Sequence, residues 1–385
     1  MKGRWSLNCR ARILTIFVTL LLYCALVACG SEEESRGNFD EVTRISNCTS
    51  RYFLLLGDNE TISLNTYENS AINEIRTFQT SDDTFLASVQ EERVAILNAN
   101  ENTVTLYEIQ TSEEIELSAP YKVKPKAILL HGDNLFIGGE LREGMGEEML
   151  IQYHIQSGTW YRPEIPGHLL FNGKAVDDLV VSDSYLIAID NIVIPKFVLF
   201  YHLDSASKLE LSHYRQLKSN GPYETIRQGR VTPDYLGLLS RTHSGWAGPY
   251  EHITIYNNLD LASSFTLSIE SQGHGTINGR AIDVCTINDF LLIGNTLFLA
   301  HSNRGLGVFE IDDSYFGADC DDFDFSFSPK VDTGKINYTR FRNEEIIQLT
   351  LIPNDDKFVL TIRSESGRIR HEVFCVQLGA LMNEE

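Results

Sequence analysis

Six short segments of this chain carry an aromatic residue in the same setting, and their spacing restricts the folds open to it. They are "TLYEI" at Tyr107, "IQYHI" at Tyr153, "LFYHL" at Tyr201, "TIYNN" at Tyr256, "GVFEI" at Phe309 and "EVFCV" at Phe374. The intervals are 46, 48, 55, 53 and 65 residues. Each is preceded by another apolar run ("RVAIL", "LFIGG", "YLIAI", "YLGLL", "LFLAH", "FVLTI"), and most by a third, such as "KAILLHGD" or "VDDLVVSD". Runs of this length, rich in β-branched and aromatic residues and punctuated by Gly, Asn, Asp and Ser, read as strands and turns. Almost nothing reads as helix.

The recurring unit is strand, turn, strand, loop, aromatic strand, turn and a weaker strand. A lone four-stranded sheet buries too little and leaves its edges open. Sheets of about 40–50 residues arranged around an axis pack face to face and keep only short edges. The expectation is therefore an all-β fold, a β-propeller. A less regular unit from Arg51 to Phe78 brings the count to seven blades, with six or eight as alternatives. N- and C-terminal strands sharing one blade would close the ring. A pair of β-sandwiches is the structural rival, but its strands need not repeat at this interval.

The N-terminus reads separately. Lys2, Arg4, Arg10 and Arg12 precede an apolar run from Ile13 to Ala28, too short for a membrane-spanning helix and shaped like a secretory signal. The run ends Leu26-Val27-Ala28-Cys29 and is followed by Gly30 and "SEEESRGN". This resembles the lipobox of bacterial lipoproteins. The resemblance implies cleavage before Cys29, which becomes the mature N-terminus with its thiol carrying a diacylglycerol of palmitate-type chains. Two chains give stable anchoring. Gly30 in place of Asp implies the outer membrane if the cell is Gram-negative. The expected organisation is a signal peptide at 1–28, a lipidated cysteine with a flexible acidic tether at 29–44 and a propeller at 45–385.

Removing the signal takes four basic residues with it and moves the formal charge from −21 to −25. Such a surface repels phosphate backbones, so nucleic acid is not an expected partner. Beyond Cys29 four cysteines remain: Cys48, Cys285, Cys320 and Cys375. Outside the cytoplasm they allow two disulfides. The pairs Cys48–Cys375, across the ring closure, and Cys285–Cys320, bracketing the sixth repeat, are expected, with four free thiols as the alternative.

One unit, "LFIGGELREGMGEEMLIQYHIQSGTWYRP", holds Gly138-Gly139, Tyr153 and Trp160, and so resembles a kelch repeat. The next unit keeps Tyr201 but has Asp190-Asn191 in place of the glycines, so the resemblance supports a propeller and names no propeller family. "GLGVFEID" resembles a short repeat of bacterial surface propellers.

Catalytic signatures are missing from the sequence: it has no HExxH, GxSxG, P-loop or GxGxxG. No cofactor is expected. "FGADCDDFDF" groups Asp319, Asp321, Asp322 and Asp324, a weak calcium candidate because the spacing does not match an EF-hand loop. Propeller topology offers a better site. The loop between a blade's second and third strands shares a face with the loop leading to the next blade. "RTHSGWAGPYEH" and "SQGHGTINGR" occupy these two places, which puts His243, Trp246, Tyr250, His252, His274 and Arg280 on one rim. Aromatics and arginine anchor interfaces. The functional expectation is a lipid-anchored extracytoplasmic binding or scaffold protein, not an enzyme, whose partner is a protein or glycan of the cell envelope. The alternative is a propeller hydrolase or lyase acting on a sugar or lactone. Its metal or carboxylates would sit at the central channel, drawn from Asp177, Asp178, Asp190 and Glu140.

Overall fold

The computed structural model describes residues 44–376 except 48–50, 59–60, 81–84, 99–102, 120–122, 142–149, 164–175, 191–195, 204–207, 218–223, 245–247, 258–260, 262, 271–273, 278–279, 284–286, 303, 319–329, 332–335, 340–343, 354–356 and 365. Residues Thr43–Glu385 form one unit. It is a seven-bladed β-propeller, with no α-helix among the described residues.

β1 (Arg44–Asn47) comes first in the chain but joins the sheet of the second blade; the first blade's own ladder is β2 (Tyr52–Leu56), β3 (Thr61–Glu68) and β4 (Ala71–Gln79), the counterparts of second, third and fourth strands elsewhere. The second is β5 (Phe85–Gln90), β6 (Arg93–Asn98), β7 (Thr103–Glu108) and β8 (Glu113–Ser118). In the third come β9 (Val123–His131), β10 (Asn134–Leu141), β11 (Leu150–His154) and β12 (Thr159–Tyr161). The fourth holds β13 (Val176–Val181), β14 (Tyr185–Asp190), β15 (Phe197–His202) and β16 (Glu210–Gln216). The fifth holds β17 (Glu224–Val231), β18 (Tyr235–Ser244), β19 (Gly248–Asn257) and β20 (Ser263–Glu270). A separate hairpin, β21 (His274–Ile277) and β22 (Arg280–Asp283), leads into β23 (Ile287–Ile293), β24 (Thr296–His301) and β25 (Gly305–Glu310) of the sixth blade. That blade is completed by β28 (Asn337–Thr339), after β26 (Gly317–Ala318) and β27 (Lys330–Val331) have paired with β20 of the blade before. The seventh is β29 (Glu344–Leu351), β30 (Lys357–Ser364) and β31 (Ile369–Cys375).

Within each blade the pairing is antiparallel, so turns alternate between two rims. The rim where first strands begin is called upper here. It also carries the turns between second and third strands. First-to-second and third-to-fourth turns lie on the lower rim.

The repeat aromatics take one structural position. Tyr107, Tyr153, Tyr201, Tyr256, Phe309 and Phe374 lie near the lower end of the third strand. Each is paired with the second residue of the strand before it: Val94, Leu135, Leu186, Leu236, Leu297 and Phe358. Each packs into the apolar layer shared with the preceding blade. The seventh member is Tyr67, on β3, packed beside Phe53, Leu55, Ile352 and Val359 between the last blade and the first. Burying one such ring contributes about 2–3 kcal/mol. The repeat is therefore a set of inter-blade wedges, and its period is the blade.

Ring closure differs from the expected shared blade. β1 pairs in parallel with β5, and the described strands of the seventh blade all come from C-terminal residues. The seam is closed by packing and polar bonds. Leu56 N donates to Gln348 Oε1 (3.4 Å) and Ile369 N to Asp58 Oδ1 (2.7 Å), while His371 Nε2 lies 2.9 Å from Leu56 O. The expected Cys48–Cys375 disulfide is likewise absent, Cys375 being a free thiol. Topology explains this: Cys375 ends the outermost described strand of its blade, whereas the strand before Cys48 pairs at the inner edge of β5. Cys48, Cys285 and Cys320 lie outside the described residues, as do Cys29 and the aspartates from Asp319 to Asp324.

Candidate functional site

Five successive inner strands share one irregularity. In β9, β13, β17, β23 and β29 one residue is extra to the ladder: Lys126, Asp177, Arg227, Asn288 and Ile347. Such a bulge re-aims the side chains beside it. In the last four the sequence reads apolar, bulge, Asp or Gln: Val176-Asp177-Asp178, Ile226-Arg227-Gln228, Ile287-Asn288-Asp289 and Ile346-Ile347-Gln348.

The side chains released here reach the next blade. Asp178 Oδ2 accepts from Gly229 N (2.6 Å), Asp289 Oδ2 from Leu349 N (2.9 Å), and Gln228 Nε2 donates to Asp289 Oδ1 (2.8 Å). From the bulge positions, Lys126 Nζ meets Asp177 Oδ1 at 2.7 Å, Arg227 Nη1 donates to Ile287 O (3.2 Å) and Asn288 Nδ2 to Ile346 O (2.8 Å). Between the second and third blades Ser88 Oγ accepts from Leu130 N (2.9 Å). A ring of polar latches thus joins the blades at their inner strands. It satisfies backbone amides that curvature leaves without a ladder partner.

The latches are densest above the fourth to sixth blades. Lys196 and Glu224, both buried, pair at 3.1 Å, and Glu224 Oε1 also accepts from Ser240 Oγ (2.5 Å). Glu251, 1% exposed, lies between Arg227 (2.9 Å) and Arg241 (2.8 Å), and its second oxygen accepts from Ile287 N in the next blade. Arg230 reaches Asp289 at 3.0 Å. Buried carboxylates matched this closely with cations avoid the desolvation penalty that an unpaired charge would bear.

On this base stand the loops that the sequence points to. β18 and β19 continue their ladder past the end of the blade. Glu224 of β17 and Glu270 of β20 are level with the Thr242–Tyr250 pair, while His243–Pro249 and Ser244–Gly248 extend beyond it. The β21–β22 hairpin follows β20 on the same rim, with His274 opposite Asp283 and Arg280 opposite Ile277. His243, Tyr250, His274 and Arg280 therefore lie in upper-rim hairpins, and Trp246 falls among the residues outside the description.

His252 does not belong to an exposed surface. It is 3% exposed, its Nε2 is 3.0 Å from Thr242 Oγ1, and its Nδ1 is 3.0 Å from Ser268 Oγ. Both faces of a blade are covered by neighbours, so alternation along β19 separates two buried layers instead of core from solvent. Of the channel carboxylates, Asp177 and Asp178 are engaged as latches. Asp190 and Glu140 pair across strands with Val176 and Lys124. No group of three or more His, Cys, Asp or Glu among the described residues is arranged to hold a metal, and no described helix is long and apolar enough to cross a membrane.

The sequence matches no protein-family model and no curated protein. Its fold, by contrast, is widely represented among solved structures. Hydrazine synthase of Kuenenia stuttgartiensis superposes with a TM-score of 0.58 at 11% identity, over 90% of this chain and 98% of that one. The β-propeller domain of Cps50 (Swd1) from Myceliophteria thermophila gives 0.51 at 12% identity, over 83% and 95%. At such identities the likeness establishes the propeller and carries no activity with it.

Proposed function

We propose that this chain is a lipid-anchored, extracytoplasmic binding or scaffold module. Its upper rim, above the fifth and sixth blades, is the surface that engages a protein or glycan partner in the cell envelope. The observation that carries this reading is the pair of hairpins, β18–β19 and β21–β22, raised from one rim over a base stiffened by Lys196–Glu224 and the Glu251 arginine pair. A rigid platform with projecting loops lowers the ordering cost of binding. Anchoring through Cys29, read from the lipobox-like sequence, would keep that platform at the outer membrane of a Gram-negative cell.

The rival channel chemistry has less to work with. Asp178 has one oxygen on Leu179 N (2.9 Å) and the other on Gly229 N, and Asp177 is paired with Lys126. Affinity capture from cells making the native chain or the Trp246→Ala and Tyr250→Ala forms tests the proposal. A reproducible partner that these changes weaken at least tenfold, with thermal stability intact, is expected. Undiminished capture by both variants would remove the hairpins from the interface.

A further inference from the structure

The two rims differ in charge. Among the described residues, the lower-rim turns are strongly acidic. Glu91 and Glu92 lie between β5 and β6, Asp183 between β13 and β14, Asp234 between β17 and β18, and Asp312 and Asp313 follow β25; all six are exposed. The upper rim carries more of the exposed cations: Lys124 at the start of β9, Arg162 after β12, and Arg368 and Arg370 at the β30–β31 turn, against exposed Asp58; the lower rim has exposed Arg51 and Lys208 beside its six acids. Some of these are paired, as Arg370 is with Glu344 (2.6 Å), but the sign of the asymmetry stands. In a chain with a formal charge of −21, the rim with the less acidic balance of exposed charge is the one that anions approach.

The second observation is independent of charge. β1 runs parallel to β5, with Arg44 level with Leu86 and Asn47 with Val89. The propeller's N-terminal end is therefore at the upper rim, near the axis. We infer that the upper rim faces an anionic lipid surface, with the acidic lower rim turned away. This rests on the anchored reading of Cys29 and adds the orientation that the anchor imposes.

Chain length supports the same direction. Arg44 lies fifteen positions after Cys29, a contour of about 50 Å for a fully extended chain and about 20 Å on average for a flexible one. To turn the lower rim to the bilayer, the chain must cross the blade radius, about 20 Å for four strands at roughly 4.8 Å plus the channel. It must then descend the blade height, about 20 Å for six residues at roughly 3.3 Å. That would leave the tether nearly taut. The upper-rim orientation leaves it slack, and anionic headgroups add attraction on that side and repulsion on the other, both screened by salt. A partner gripping the upper hairpins must then itself be held at the membrane.

The test uses residues 29–385 with Cys29 coupled chemically to a phospholipid and the other cysteines changed to serine. Vesicles are of phosphatidylcholine alone or with about 30% phosphatidylglycerol, which gives the bilayer a negative surface potential. Energy transfer to a headgroup acceptor is read from a fluorophore genetically encoded at Ser366 (upper turn) or Ser184 (lower turn). The expected result is at least twofold greater transfer from position 366, widening with anionic lipid and narrowing in Arg162→Glu/Arg368→Glu or at about 0.5 M salt. Equal transfer from the two positions, or greater transfer from 184, overturns the orientation. A preference that anionic lipid and salt leave unchanged overturns the electrostatic part. Because the lipid is attached chemically, these outcomes do not depend on natural acylation. Acylation itself is tested separately by incorporation of labelled palmitate into the native chain and its Cys29→Ser form.

Discussion

Removing the Asp289 carboxylate should loosen two blade interfaces at once. One oxygen accepts from Phe290 N (2.8 Å), Gln228 Nε2 (2.8 Å) and Arg230 Nη2 (3.0 Å), and the other from Leu349 N (2.9 Å). The carboxylate is 4% exposed and Arg230 about a quarter exposed. Asp289→Ala leaves the Leu349 amide unsatisfied and the guanidinium unpaired. An orphaned buried donor costs about 1–3 kcal/mol, and breaking a buried ion pair about 3–5 kcal/mol. These overlap, so about 4 kcal/mol is expected. A unit of about 340 residues unfolds with an entropy near 0.7 kcal/mol/K, which makes the shift in Tm about 5–6 °C. Asp289→Asn, which keeps an acceptor for Leu349 but not the charge, should lose about half as much. Calorimetry, with the van't Hoff and calorimetric enthalpies compared to establish cooperative unfolding, gives the values. A shift below about 1 °C for Asp289→Ala would refute the latch argument.

Tyr201 gives the opposite sign. Its hydroxyl is fully buried without a hydrogen-bond partner among the described residues, and burial pushes its pKa well above the usual phenol range, so Tyr201→Phe should be neutral or raise Tm by about 1–2 °C, whereas Tyr201→Ala should cost about 3–5 kcal/mol. At Gly138 a Cβ would lie 2.5 Å from Val176 Cγ1 and 3.1 Å from Val176 O, so Gly138→Ala should cost about 2 kcal/mol by urea titration. At the seam, burial holds the His371 pKa below its ordinary value. The unfolded chain then binds the proton first, so the stability from this group is complete above about pH 6.5 and falls as pH drops below that. His371→Gln should flatten part of the Tm difference between about pH 7.5 and 5.5; an unchanged difference assigns it elsewhere, for instance to His131 and His213, which burial shifts the same way.

The blade repeat was legible because its aromatics have a single job at a single register, and a wedge between sheets tolerates only large apolar rings. Tyr67 escaped notice since the runs around it, "TISLNTYENS", lack the apolar residue that follows most of the other repeat aromatics. The latches were written in sequence too, as Val-Asp-Asp, Ile-Arg-Gln, Ile-Asn-Asp and Ile-Ile-Gln at the heads of four inner strands. Without the bulge, whose register a single sequence does not display, Asp177 and Asp178 read as channel acids. His252 misled for a related reason: a polar residue alternating with Ile253 and Ile255 suggests solvent, but here it faces a neighbouring blade. Antiparallel pairing alone puts the β18–β19 turn and the segment after β20 on one rim, which is why the loops could be placed without the structure.

The central claim is that this propeller binds through its upper rim. A photoreactive amino acid placed in living cells at Ala247, in the β18–β19 turn, or at Ser184, in a lower turn, tests it most directly. The account predicts a discrete, reproducible cross-linked product from position 247 and none from 184. Products from 184 alone, or none from 247 with the protein abundant and folded, would contradict it.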